Sequence, residues 1–199
     1  MAPSSRASPL VGIFVGGRGR RMGGVDKGNL TLAGGETLVA RLLRAIRGAL
    51  PEAPVVLVGA AAAYTELGLL ALVDEPAGIG PLGGLAALLR QAQREGHGAA
   101  LALACDMPHL GPGLLQRLAH EAPEAEFLAA RDGGRWQTLA ARYAASSLVA
   151  VEASIAAGEH ALQKVVARLE GAVALEITEA ERTELGDWDT PEDRQTSQR

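Results

Sequence analysis

Short apolar runs alternate with longer amphipathic segments through the first half of the chain. The apolar runs predict strands that are buried on both faces. They span residues 10–15, 55–58, 69–73 and 99–104. The segments between them place apolar residues at helical spacing and predict helices at about 36–49, 60–67 and 85–95. Such alternation of strands and helices is typical of βαβ units in a mostly parallel sheet.

The second half of the chain continues the pattern and adds two strands that are neighbours in sequence. These strands, at 126–130 and 136–143, flank the turn Asp132-Gly133-Gly134. The other predicted elements are helices at 113–121, 146–157 and 161–169, a strand at 172–177 and a helix starting near Pro191. We therefore expect an α/β fold, a Rossmann-like three-layer sandwich with a mostly parallel central sheet. It forms one domain at 9–194 between flexible tails at 1–8 and 195–199.

Three loops of unusual composition each follow a predicted strand directly. They span residues 16–28, 74–84 and 105–108. Ligands of open parallel sheets bind beyond the carboxyl ends of the strands. Because these ends meet at one edge of the sheet, we expect the three loops to contribute to one shared site.

Composition narrows the classes of protein that fit. Hydrophobic residues make up 48% of the chain and aromatic residues only 3%, so the core is built from aliphatic side chains. A net charge of -4 argues against a general nucleic-acid binder. The single cysteine, Cys105, forms no intramolecular disulfide, and the apolar run at 10–15 is shorter than the roughly 20 residues that cross a bilayer. We expect a cytoplasmic protein without membrane contact, either a monomer or a weak homo-oligomer.

The first loop combines glycines with a cluster of cations. Exposed backbone N–H groups of glycines form anion-binding nests, and arginine and lysine side chains neutralise phosphates. The cations in the loop are Arg18, Arg20, Arg21 and Lys27. The loop fits neither the Walker pattern nor the dinucleotide pattern of glycines. It predicts a polyphosphate site, and the alternative is a surface loop with solvated arginines.

The pattern Gly-Gly-x-x-x-Arg-Met-Gly-Gly-x-Asp-Lys at 16–27 resembles the signature of molybdenum cofactor guanylyltransferases. The resemblance implies a fold like that of nucleotide-diphospho-sugar transferases. It also implies that the loop wraps a triphosphate through Gly16, Gly17, Arg21 and Lys27, with backbone contacts to the nucleobase at Phe14 and Val15. Val15 departs from the family's usual alanine.

A second segment, Asp74 followed by Gly80-Pro81-Leu82-Gly83-Gly84, is similar to the part of the family's site that lies near the base and ribose. The resemblance implies nucleotide binding by Asp74, Gly80 and Gly83. Gly59 stands where some members have a polar residue that contacts the base. The alternative for the glycines is a tight turn into the next helix.

Asp106 follows an apolar strand in the segment Cys105-Asp106-Met107-Pro108. Mg²⁺ prefers oxygen ligands, often one or two carboxylates together with substrate phosphates. The family motif Cys-Asp-x-Pro implies that Asp106 is a magnesium ligand and also contacts the nucleotide. The alternative is a helix-capping aspartate.

Two further segments resemble the family's acceptor region. Gly134-Arg135-Trp136-Gln137-Thr138-Leu139 is similar to a segment near the pterin, and Asp187-Trp188-Asp189-Thr190-Pro191 is similar to the family's C-terminal segment. The implied acceptor-binding residues are Arg135, Gln137, Asp187 and Asp189, with Asp189 as a second metal ligand. The alternatives are surface contacts for the first segment and a capped helix start for the second.

The resemblance implies an enzyme that uses Mg²⁺ to transfer GMP from GTP to the phosphate of molybdenum-molybdopterin. The implied catalytic residues are Lys27, Asp106 and Arg21, and molybdoenzyme-maturation proteins are candidate partners. Three alternatives stay open: a cytidylyltransferase using CTP, a transferase with another phosphate acceptor, and a silent nucleotide-binding regulator.

Overall fold

The computed structural model describes residues 8–15, 18–19, 25–32, 34–59 and 62–186. The first half contains β1 (Leu10–Phe14), β2 (Arg18–Gly19), β3 (Val25–Asp26), α1 (Leu38–Ala49), β4 (Val55–Val58), β5 (Leu70–Leu72), α2 (Pro81–Arg94) and β6 (Ala99–Ala104). The second half contains α3 (Pro112–His120), β7 (Phe127–Asp132), β8 (Arg135–Ala144), α4 (Leu148–Ala156), α5 (Leu162–Val166), β9 (Ala172–Leu175) and α6 (Glu179–Glu184). Short 3₁₀ helices span Lys27–Asn29, Ala62–Leu67 and Ala145–Ser147.

The main sheet has seven strands in the order β5-β4-β1-β6-β8-β7-β9. Within it, β8 pairs antiparallel with both β6 and β7, and every other recorded pairing is parallel. The prediction of a mostly parallel α/β sheet is therefore confirmed. The strands β2 and β3 form a separate two-stranded antiparallel sheet inside the first loop, residues 16–28. The sequence did not predict this sheet.

Hydrophobic cores cover both faces of the main sheet. On β1, Val11 and Ile13 face the layer that contains α1 and α3, while Leu10 and Phe14 face the layer that contains α2, α4 and α5. This division follows from the alternation of side chains along a strand. The three-layer arrangement is confirmed.

Three helices differ from their predicted extents. The helix predicted at 85–95 begins at Pro81, because proline at the first helical position is compatible with the helix and Gly80 occupies the cap. Within the helix predicted at 60–67, the described residues Ala62–Leu67 form a short 3₁₀ helix, and the helix predicted at 161–169 shortens to Leu162–Val166. The sequence did not predict α6, whose start is a capping box between Thr178 and Glu181.

The expected tails at 1–8 and 195–199 lie outside the described residues except for Ser8, as does the helix expected near Pro191. Among the residues that are described, no helix is both long enough and apolar enough to span a bilayer.

Candidate active site

Six strands of the main sheet end at one edge, and the antiparallel β8 begins there. Backbone hydrogen bonds tie the strand ends together. The Val15 N–H donates to the Val58 carbonyl at 3.0 Å, and the Gly59 N–H donates to the Leu72 carbonyl at 2.8 Å. The Cys105 N–H donates to the Phe14 carbonyl at 3.2 Å. The loops at 74–84 and 105–108 therefore open on the same edge, as predicted.

The first turn of α2 packs closely against the residues expected to bind the nucleotide. A Cβ atom on Gly84 would lie 2.7 Å from Val58 Cγ1, 3.0 Å from Phe14 Cε1 and 3.2 Å from Asp74 Oδ1. Glycine is therefore needed at this position, and the close approach brings Asp74 next to the N-terminus of α2. Gly80, at the cap of the same helix, has a φ of +77° that other residues rarely adopt.

Asp74 is half-buried at this end of α2. Burial raises the pKa of its carboxyl above the ordinary value of 3.8, because desolvation penalises the charged form. Glu75, the residue after Asp74, is paired with Arg90 of α2. The Arg90 guanidinium donates to Glu75 at 2.9 Å and to Glu152 of α4 at 2.8 Å. Arg90 thus holds the loop that carries Asp74 against two helices.

A cleft of about 390 Å³ lies at the same edge, beside the end of β6. It brings Asp106 together with Arg135 and Gln137, the residues expected to bind the acceptor. Its remaining lining residues are Ala104, Met107, Asp132, Trp136, Thr138, Leu139, Gln163 and Leu185. Asp132, expected only as a turn residue, and Gln163 and Leu185 were not predicted as site residues, because tertiary packing brings them to the cleft.

Asp106 is half-buried and stands at the junction of β6 with the following loop. The alternative that it caps the next helix is wrong, because α3 begins at Pro112 with Gly111 at its N-cap. The rigid end of a buried strand positions the carboxylate, and the cleft leaves it open to a ligand. Asp106 is thus one of the two carboxylates, with Asp132, that line the cleft.

Arg135 lines the cleft, and two further arginines, Arg131 and Arg182, lie next to its lining residues. Arg131 lies over the indole ring of Trp136, with its guanidinium carbon 5.1 Å from the ring centroid. The edge of this indole contacts Phe127, whose ring centroid is 5.3 Å away. Arg182 of α6 is paired with Asp132 and with Glu179. Arg135 is exposed at the β7–β8 turn, at the edge of the cleft.

The other expected site residues are placed as follows. Gly59 ends β4 with a φ of +106°. The backbone of Lys27 begins the 3₁₀ helix Lys27–Asn29, which packs on α1: a Cβ atom on Gly28 would lie 2.7 Å from Val39 Cγ2. The side chain of Lys27 lies outside the description, as do all atoms of Gly16, Gly17, Arg21, Asp187 and Asp189. Among the described residues, no group of three or more His, Cys, Asp and Glu side chains forms a metal site.

Comparisons with known proteins agree with this geometry. The family model described as the MobA-like NTP transferase domain matches residues 11–173. A molybdenum cofactor guanylyltransferase of Pseudomonas putida is 35% identical over 192 residues, covering 96% of this chain and 97% of that protein. A protein of the same name from a Shewanella species is 33% identical over 168 residues, covering 81% of this chain and 82% of the relative.

Solved structures share the fold over nearly the whole chain. The molybdopterin-guanine dinucleotide biosynthesis protein A of Archaeoglobus fulgidus superimposes with a TM-score of 0.76 at 24% identity, covering 95% of this chain and 96% of that one. The 2-C-methyl-D-erythritol 4-phosphate cytidylyltransferase of Thermus thermophilus gives a TM-score of 0.68 at 18% identity, covering 96% and 97%. At these identities the structures establish the fold alone, which is that of nucleotidyltransferases. With a family model matched along most of its length, this chain belongs to the MobA-like NTP transferase family.

Proposed function

We propose that this protein is a molybdenum cofactor guanylyltransferase, which transfers GMP from GTP to the phosphate of molybdenum-molybdopterin. The main support is the 35% identity to the Pseudomonas putida enzyme of that name over nearly the full length of both chains. The cleft adds chemical support, since it combines a carboxylate with an exposed arginine and a glutamine amide. These groups suit two phosphate-bearing substrates that must meet.

The proposed reaction is a single displacement. An oxygen of the molybdopterin phosphate forms a bond to the α-phosphorus of GTP, the bond from this phosphorus to the β-bridging oxygen breaks, and pyrophosphate leaves. No covalent intermediate with the protein is required. Such transfer depends on positioning and on neutralisation of charge. In this proposal Lys27, Arg21, Gly16 and Gly17 bind the phosphates.

The nucleoside end of GTP is assigned to the first turn of α2 and the neighbouring strand ends. The residues proposed to contact it are Phe14, Val15, Gly59, Asp74, Gly80 and Gly83. The carbonyl of Phe14 already accepts a hydrogen bond from Cys105, so any contact with the base there shares an acceptor that the sheet uses. Asp74 offers the best-placed side chain, because it lies against Gly84 at the start of α2.

A divalent metal fits Asp106, because Mg²⁺ takes one or two carboxylates and completes its shell with phosphates and water. We propose Mg²⁺ as this metal and Asp189 as a second ligand. When bound, the ion would supply a positive charge next to the α-phosphate.

The acceptor is assigned to Arg135 and Gln137, with Asp187 and Asp189 beyond the described residues. We further propose that GTP and molybdopterin are the substrates in the cytoplasm, where the buried Cys105 stays reduced.

A turnover assay tests the function directly. Purified protein with Mg²⁺ and molybdenum-molybdopterin should release pyrophosphate from GTP and form a guanine dinucleotide. CTP should support a much lower rate under the same conditions. A higher rate with CTP than with GTP would assign a cytidylyltransferase instead, and binding of GTP without pyrophosphate release would indicate a silent regulator.

Substitution of Asp106 gives a second test. Asp106→Ala should lower the rate of pyrophosphate release by about 100-fold or more, the effect of removing a preorganised charge from a transferase site. Its Tm should stay near that of the wild type, because the side chain is open to the cleft. Glu170→Gln, an exposed carboxylate that precedes β9 at the opposite edge of the sheet, is the control and should leave the rate unchanged. Full turnover by Asp106→Ala would remove this residue from the mechanism.

A further inference from the structure

The strand that carries the acceptor residues leaves regular pairing where it lines the cleft. Ala129 of β7 pairs with Ala141 of β8, but Arg131 pairs with Trp136. The residues 137–140 of β8 therefore lie opposite Ala130 alone. On its other side, β8 pairs with β6 only as far as Ala140 opposite Leu103. The segment 137–139 thus protrudes from the ladders on both sides.

Such a bulge turns side chains toward a site, but it also leaves the backbone without its usual strand partners. Two side chains bond the backbone here, one at Trp136, directly before the bulge, and one at Thr138 within it. The Gln163 side chain of α5 accepts a hydrogen bond from the Trp136 N–H at 3.1 Å and donates to the Trp136 carbonyl at 2.7 Å. The Tyr143 hydroxyl donates to the Thr138 carbonyl at 2.9 Å.

These two contacts come from rigid parts of the molecule. Tyr143 is fully buried, and its ring packs against Phe127 with centroids 4.9 Å apart. Burial raises the pKa of its hydroxyl above the ordinary value of 10.0, so it remains a hydrogen-bond donor. Gln163 lies on α5, which packs against β8, and it is flanked in sequence by the buried Leu162 and Val165. The amide of Gln163 offers a donor and an acceptor to the Trp136 backbone, and an apolar residue at this position would offer neither.

We propose that Gln163 and Tyr143 are positioning residues that hold Trp136 and the bulge after it in the shape that presents Gln137, with Arg135 nearby, to the acceptor. This inference rests on the proposed function. A preorganised segment binds its ligand without a cost for ordering it. Loss of the hydrogen bonds from either Gln163 or Tyr143 therefore weakens acceptor binding selectively. Nucleotide binding at α2 is unaffected.

The test uses Gln163→Leu and Tyr143→Phe, which remove the hydrogen bonds and retain most of the packing volume. Each variant should raise the KM for molybdopterin about 3- to 10-fold, the equivalent of one net hydrogen bond, and leave the KM for GTP within about twofold. Lys164→Ala is the matched control on α5. The side chain of Lys164 is 68% exposed and is paired with Glu159, so both constants should stay at their wild-type values.

Hydrogen exchange at the Trp136 amide gives a readout that does not depend on activity. Exchange should become faster in Gln163→Leu and stay unchanged in Lys164→Ala, because the Trp136 N–H donates to Gln163. Unchanged exchange in Gln163→Leu would show that the Gln163 side chain does not hold the Trp136 backbone. Equal increases in both KM values, or no increase in either, would overturn its role in acceptor binding. A wild-type protein that makes no dinucleotide would instead reject the proposed function. The exchange measurement would still decide whether Gln163 holds the Trp136 backbone.

Discussion

Two aspartates at the same sheet edge stand in different surroundings. Asp106 follows β6 and lines a cleft of about 390 Å³, where we propose that metal and phosphates bind. Asp74 lies against the first turn of α2, and burial raises its pKa. A carboxylate held partly out of water without a compensating cation costs folding free energy.

The raised pKa of Asp74 leads to a prediction in which stability and binding change in opposite directions. The favourable contribution of this group to folding is complete below its ordinary pKa of 3.8 and is lost as pH rises through its raised value. At pH 7 the charged carboxylate is therefore destabilising. Asp74→Asn should raise the Tm at pH 7 but not near pH 3, and should raise the KM for GTP about tenfold, as for a lost hydrogen bond to a charged group.

Thermal unfolding and GTP titration measure the two effects of Asp74→Asn. Glu66→Gln, at an exposed position of the 3₁₀ helix Ala62–Leu67, is the control and should change neither the Tm nor the KM. A lower Tm for Asp74→Asn at pH 7 would contradict the desolvation argument. An unchanged KM would exclude Asp74 from nucleotide binding.

At the scale of elements, α6 closes one side of the cleft through a few polar contacts. Arg117 of α3 donates to Glu181 at 2.6 Å and to the Glu176 carbonyl at 2.8 Å, and the Gly111 N–H donates to Glu184 at 2.9 Å. Leu185, which follows α6, packs into the core and lines the cleft. Since the segment with Asp187 and Asp189 comes next, the docking of α6 sets where that segment begins.

The capping box of α6 gives a prediction for this element. Thr178→Ala should cost about 1 kcal/mol of stability, because its side chain accepts the hydrogen bond of the Glu181 N–H at the helix start. Thr183→Ala, the same substitution within the helix, should cost less than about 0.5 kcal/mol. Urea unfolding measures both, and equal losses for the two variants would show that the cap contributes nothing specific.

Acid should weaken α6 as well. The pKa of Glu181 lies below its ordinary value of 4.5, first because the Thr178 N–H donates to it and second because Arg117 pairs with it. Its stabilising contribution is therefore present above pH 4.5 and is lost as pH falls through the lowered value. Hydrogen exchange in residues 179–184 should rise in that acidic range, and in Glu181→Gln it should already be raised at neutral pH.

For the molecule as a whole, the site joins parts that are far apart in the chain. Asp74 and α2 follow β4 and β5, Asp106 follows β6, and Arg135 and Gln137 begin β8. A nucleotide bound across these elements should stabilise the entire fold by mass action. At 100 times its Kd, GTP with Mg²⁺ should add about 2.7 kcal/mol to the free energy of unfolding.

A thermal-shift series measures this stabilisation. GTP with Mg²⁺ should raise the Tm, a chelator should reduce the rise, and CTP should raise the Tm less at the same concentration. An equal rise with and without the chelator would argue against a metal bound together with GTP. No rise at any GTP concentration would contradict nucleotide binding by this chain.

Much of the architecture could be predicted from local pattern. The aliphatic runs of β1, β4 and β6 predict buried strands, because both of their faces must be covered by helices. The predicted start of α2 at residue 85 lies four residues after its observed start at Pro81. The turn at Asp132-Gly133-Gly134 separates β7 from β8 as expected. The mostly parallel order made it possible to expect that the loops at 74–84 and 105–108 share one edge.

The direction of β8 and its bulge could not be read from the sequence, because strand pairing joins residues that are distant in the chain. The same holds for α6, whose six residues are held by Arg117 of another helix as well as by their own cap. Residue types and short-range periodicity thus settled the class of fold, the order of most elements and the candidate chemistry at Asp106. Only three-dimensional packing placed Arg135, Gln137 and Gln163 in the cleft of Asp106, since side chains from separate elements meet when long-range contacts bring their strands and helices together.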